Sequence, residues 1–119
     1  MDKFLTIDKG DVKIEVINLE KATGEQAEEF KLILLKHIEN DDIKLIVDIH
    51  QCEFLDSTFL SSLLIALKAA IKKGGNLKIA SPKQDVAEML EATGMNRVFD
   101  IYSNITDAVK SFNDNKLQN

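Results

Sequence analysis

The stretch IKLIVDIHQCEFLDSTFLSSLLIAL, Ile43 to Leu67, decides the fold because the spacing of its apolar residues changes midway. From Ile43 to Ile49 the run is strongly apolar on one alternating face and partly so on the other, as in a central strand. From about Thr58 to Lys73 the spacing is helical. Gly74-Gly75 then supplies the left-handed conformation that ends a helix, with Lys72 and Lys73 at its negative end. Gln51 to Asp56 is left as a short strand-to-helix connection.

Working outward, Phe4–Ile7 and Val12–Ile17 are short β-type runs joined by the turn-forming Asp8-Lys9-Gly10-Asp11, which predicts a hairpin. The alternation of Val12, Ile14 and Val16 predicts one wet face. Between Gly24 and Asn40, Ala27, Phe30, Leu34 and Ile38 recur at helical spacing, and the acidic residues lean toward the start, as the helix dipole prefers. After the central pair come a short strand, Leu77–Ala80, and a helix opened by Ser81-Pro82 with Val86, Met89 and Leu90 inward and Gly94 at its end. A last strand, Val98–Tyr102, precedes a helix capped by Asn104 or Thr106, carrying Ala108, Val109 and Phe112. The order is β-β-α-β-α-β-α-β-α. This predicts an α/β fold with a mixed sheet of four to five strands and about four helices, in one domain over 1–119 with a frayed tail from about 113.

The 119 residues carry a formal net charge of -5, with lysines spread through the chain, so no concentrated basic surface is offered to nucleic acid. No apolar run approaches the ~18 residues of a membrane span, and the first residues lack the basic-then-apolar layout of a secretory signal. A soluble, cytoplasmic protein without membrane insertion is expected. Cys52 is the single cysteine and reads as a small buried hydrophobe, and no Cys/His cluster has metal-ligand spacing. Neither a metal nor a cofactor is expected.

Enzymatic chemistry finds no support in the residues. Ser57 lacks the flanking glycines of a nucleophile elbow, and the five glycines form neither a P-loop nor a dinucleotide fingerprint. His37, read on the solvent edge of the first helix, and His50, at the end of the central strand, are the only candidate bases, and both read as structural. What remains is the trio Asp56, Ser57 and Thr58 at the mouth of an apolar helix. Ser57 is suited to cap that helix, but the reciprocal capping box fails because the position three beyond it is Leu60. Capping accounts for one hydroxyl of the trio.

The same residues carry a family resemblance. The run I-x-L-I-V-D-I-x-x-C-E-F-L-D-S-T-F-L, then K-K-G-G-N-L-K-I-A, S-P, and a helix ending T-G-M-N-R-V-F, resembles the STAS-domain anti-sigma factor antagonists of bacteria from about Phe4 to Phe112. The family motif Asp-Ser-(Ser/Thr)-Gly-Leu is matched by Asp56, Ser57, Thr58 and Leu60, with Phe59 in place of the glycine. Of the family's Gly-Glu-x-Asp signature only Glu20 is kept.

The resemblance implies a phosphoprotein of transcription regulation. An anti-sigma factor serine kinase would phosphorylate Ser57, a serine phosphatase would reverse it, and the unphosphorylated form would sequester the kinase and free a sigma factor. Asp56, Ser57, Thr58, Phe59, Ser61, Ser62 and Ile65 form the expected partner-binding set, although Phe59 also shares a core stripe with Leu63, Ala66 and Ala70. A stripe of Leu60, Leu64, Leu67 and Ile71 is expected to face inward. The alternative is a STAS subunit or module serving a transporter, in which Ser57 only caps its helix.

Overall fold

The computed structural model describes residues 2–117, with side chains through Asn113. Strands β1 (Phe4–Lys9) and β2 (Val12–Ile17) form the expected antiparallel hairpin. A two-residue strand β3 (Lys21–Ala22) leads into helix α1 (Gly24–Glu39), and strand β4 (Lys44–Asp48) follows. A second two-residue strand, β5 (Phe54–Leu55), precedes helix α2 (Ser57–Lys72). Strand β6 (Asn76–Ala80), helix α3 (Gln84–Ala92), a 3-10 turn (Met95–Arg97), strand β7 (Ile101–Tyr102) and helix α4 (Ile105–Leu117) complete the order. The main sheet is mixed, in the order β1-β2-β4-β6-β7, with every pair after the hairpin parallel. The tail expected to fray, 113–119, enters α4, and its last two residues lie outside the described ones.

Each helix forms for a local reason. At the start of α1, Thr23 and Gln26 make a capping box: the Thr23 N–H donates to Gln26 Oε1 at 3.0 Å. Ala27, Phe30, Leu34 and Ile38 then bury one face, as their spacing predicts. Gly75 follows α2 because the chain must pass the Ile43 backbone there: a Cβ at Gly75 would stand 2.0 Å from the Ile43 carbonyl oxygen. Asn104 caps α4, its Oδ1 accepting the Asp107 N–H at 2.7 Å.

Two apolar layers result. On one face of the sheet, α1, α2 and α3 close over Leu45, Val47, Ile49, Leu77 and Ile79. On the other, Ala108 and Phe112 of α4 cover Val12, Ile14, Val16, Ile46 and Ala80. Phe30 sits at the middle of the first layer, its ring 4.7 Å from that of Phe4 and stacked 5.4 Å from that of Phe59.

Several expectations are corrected. The wet face assigned to β2 does not exist, because β2 is an interior strand with α1 on one side and α4 on the other. Its Glu15 is buried and accepts hydrogen bonds from Thr6 and from His37 Nε2, the latter at 2.7 Å. His37 is therefore not on a solvent edge: it turns inward from the last turn of α1. His50 follows the central strand β4, its Nδ1 lying 3.0 Å from the buried Asp48 carboxylate. The third helix begins at Gln84 rather than at Ser81-Pro82, since Ser81 adopts φ +63 while its N–H donates to Tyr102. The last strand shrinks to Ile101–Tyr102, its expected first residues being taken up by the turn around Val98.

Candidate functional site

The trio Asp56, Ser57 and Thr58 is positioned by a small sheet that the sequence did not disclose. Strands β3 and β5 pair in parallel, Lys21 with Phe54 and Ala22 with Leu55. The Glu53 and Phe54 N–H groups both donate to Glu20 O, and Asp56 N–H donates to Ala22 O at 3.1 Å. This stitching fixes the backbone just before α2. Asp56 is extended, at φ -94 and ψ 172, and its Oδ1 accepts the Phe59 N–H at 2.8 Å. Asp56 is thus the N-cap, and Ser57, expected to cap, is the first helical residue.

The consequence for Ser57 is exposure. Its side chain stands at the solvent, and among the described residues no hydrogen bond engages its hydroxyl. The Ser57 and Thr58 amides also have no partner among the described residues, as the first amides of a helix lack intrahelical acceptors. Ser61, one turn on, is exposed and donates its hydroxyl to Ser57 O at 2.9 Å.

The rotation of α2 divides the expected partner-binding set. Asp56 is half-buried, Ser57, Thr58 and Ser61 are exposed, and Ile65 is 48% exposed. Phe59 and Ser62 are corrections: both are buried, because they lie on the stripe with Leu63, Ala66 and Ala70 that faces the sheet. The Phe59 ring packs on Phe30 and presents nothing to a visitor. Conversely, Ile71, expected inward, is 55% exposed, and Leu64 is only partly covered. The helix is turned by roughly one residue, about 100°, from the rotation that a Leu60–Ile71 stripe requires.

Ser57 lines one side of an open hollow of about 190 Å³, with Leu60, Ser61, Leu64, Thr93 and Met95. Thr93 and Met95 come from the turn after α3 and were not singled out by sequence reasoning. The T-G-M string offered the only signal, through the break at Gly94, where φ is +78. Gly24 was also missed as a site residue. Its N–H donates to Asp56 Oδ2 at 2.9 Å.

Cys52 is buried, and its thiol is pushed up to about 12 by burial and, secondarily, by the Asp48 charge. No group of three His, Cys, Asp or Glu side chains able to hold a metal ion occurs among the described residues, and no described helix is long and apolar enough to cross a membrane.

Comparison with known proteins agrees with this fold. The STAS domain model matches residues 20–108. No curated protein matches the sequence. Among solved structures, a candidate anti-sigma factor antagonist of Thermotoga maritima is 25% identical, with a TM-score of 0.82 over 91% of this chain and 92% of that one. A sulfate transporter family protein of Wolinella succinogenes shares the fold at 18% identity, with a TM-score of 0.75 over 88% of this chain and 87% of that one. The Bacillus cell fate determinant SpoIIAA, in its phosphorylated form, shares it at 11% identity, with a TM-score of 0.71 over 92% of this chain and 98% of that one. With the family model covering the site and most of the chain around it, the protein belongs to the STAS domain family.

Proposed function

We propose that this protein is an anti-sigma factor antagonist whose binding is switched by phosphorylation of Ser57. In this reading the bare protein holds an anti-sigma factor that is also a serine kinase, so freeing a sigma factor. Phosphorylation releases the kinase, and a serine phosphatase restores the hydroxyl. The protein is then a cytoplasmic binding partner rather than an enzyme. The observation that carries the reading is an exposed Ser57 hydroxyl without an intramolecular partner, at the first position of α2 in a STAS domain. The likeness to a candidate antagonist, and to a fold known in a phosphorylated form, supports it.

The physics favours a switch at the surface. A phosphate adds about -1.5 to -2 charges at neutral pH. At Ser57 it meets the positive end of α2 and two uncommitted amides, an attraction of roughly 0.3–1 kcal/mol. The Asp56 carboxylate next to it opposes that attraction in part. The domain therefore keeps its fold, and the cost falls on a docked partner. A penalty of ~3–4 kcal/mol at that contact weakens binding a few hundredfold.

The test is phosphate mapping. Incubation of the purified protein with ATP and extract of its source cells adds one phosphate at Ser57, and none at that position in Ser57→Ala. Equal labelling of the two proteins rejects the assignment. Ser57→Asp keeps its helical circular dichroism and loses the partner, whereas loss of fold would refute the surface account. A STAS subunit serving a transporter is the second reading, favoured by the Wolinella likeness. Co-purification with a membrane transporter in place of a kinase would select it.

A further inference from the structure

Asp56 stands where two helices begin. Its Oδ1 accepts the Phe59 N–H within α2, at 2.8 Å, and its Oδ2 accepts the N–H of Gly24, the first residue of α1, at 2.9 Å. One carboxylate thus satisfies an early amide of each helix and offsets the positive end of both. Both oxygens are committed to backbone, and no hydrogen bond joins them to the Ser57 hydroxyl.

The two neighbouring hydroxyl residues face different surroundings. Ser57 lines the open hollow toward Thr93 and Met95, and Thr58 does not. The Thr58 side chain lies over the start of α1: a Cβ added at Gly24 would be 3.3 Å from Thr58 Cγ2 and 3.7 Å from its Oγ1. The two helix starts therefore lie side by side, with Thr58 against Gly24 and the Gly24 amide bonded to Asp56. Thr58 is exposed like Ser57, but one side of its side chain rests on the start of α1.

Resting on the proposed phosphorylation of this motif, we infer that Asp56 is a positioning residue that clamps the starts of α1 and α2 together and thereby makes Ser57, not Thr58, the phosphoacceptor. In the transfer, Ser57 Oγ forms the new bond to the γ-phosphorus of ATP, the bond from that phosphorus to the β,γ-bridging oxygen breaks, and ADP leaves. The hydroxyl proton passes to a base supplied by the kinase. The role of Asp56 ends at presentation of the acceptor, as the orientation of a reacting group demands.

Asp56→Ser separates the clamp from the cap. Serine is a good N-cap, so α2 keeps its first bond, but its shorter side chain carries one oxygen and does not span to Gly24. Two readouts are taken on the full chain: amide hydrogen exchange at Gly24 and Phe59 by NMR, and the distribution of phosphate between Ser57 and Thr58 after incubation with ATP and source-cell extract. The expected result is Gly24 exchange about tenfold faster, with Phe59 within about threefold of the parent. Thr58 then takes about a third of the phosphate, against almost none in the parent. Asp56→Asn, which keeps the shape with a single carbonyl oxygen, gives the same change in smaller measure. Gly24 exchange unchanged in Asp56→Ser overturns the clamp, and phosphate confined to Ser57 despite a freed Gly24 amide overturns its role in selecting the acceptor. If the parent protein takes no phosphate, the phosphorylation reading fails on its own, and Gly24 exchange still decides the clamp.

Discussion

Phe59→Gly restores the residue that the family motif carries at this position, and it should be severely destabilising here. The Phe59 side chain is fully buried and its ring stacks 5.4 Å from Phe30, at the centre of the larger core. Deleting a buried phenylalanine to alanine costs ~3–5 kcal/mol, counting the cavity. Glycine in place of alanine within a helix adds ~1 kcal/mol. The sum, about 4–6 kcal/mol, is a large share of the ~6–18 kcal/mol that ~0.05–0.15 kcal/mol per residue gives a chain of this length. With an unfolding entropy near 0.25 kcal/mol/K for such a chain, Tm should fall by about 16–24 °C. Urea unfolding followed by circular dichroism measures the loss, with Phe59→Leu, which keeps a large apolar side chain and should cost distinctly less, as the milder control. A Phe59→Gly protein within ~1.5 kcal/mol of the parent that had lost partner binding would refute this, and would return the ring to a docking surface.

Two further outcomes follow from packing and burial. Gly75→Ala should cost ~2–4 kcal/mol in the same unfolding assay, because the new methyl must displace the Ile43 carbonyl, which now accepts the Asn76 N–H at 2.8 Å. Cys52 should make stability fall in alkali. Its pKa is raised from 9.0 to about 12 on folding, so its contribution is intact below pH 9 and is lost as pH rises through 12, at about 1.4 kcal/mol per pH unit. Denaturation at pH 8 and pH 10.5 tests this against Cys52→Ala, which should lack the added slope.

The sequence disclosed most where one residue's neighbours suffice. The α1 stripe of Ala27, Phe30, Leu34 and Ile38 needs only a 3.6-residue period, and the β1–β2 hairpin needs only its turn. Glu15 was misplaced because alternation shows which residues differ and not whether a helix covers the second face. The pairing of β3 with β5 was invisible: two-residue strands have no period, and their partners are far apart in the chain. The cap of α2 was assigned one residue late, since Asp56, Ser57 and Thr58 can all cap and only the extended backbone of Asp56 chooses between them. Phe59 carried both of its meanings in the sequence, and the rotation of α2 settled it as core.

The stitching of residues 20–24 to residues 53–56 sets a rule for which variants of this chain can survive. The segment from Ile17 to Gly24 is short and its backbone registers directly against the segment before α2. Adding or deleting a single residue there would slide Glu20 and Ala22 out of step, and with them the serine far downstream. Relatives that keep this arrangement should therefore hold the length of that linker constant while its side chains drift.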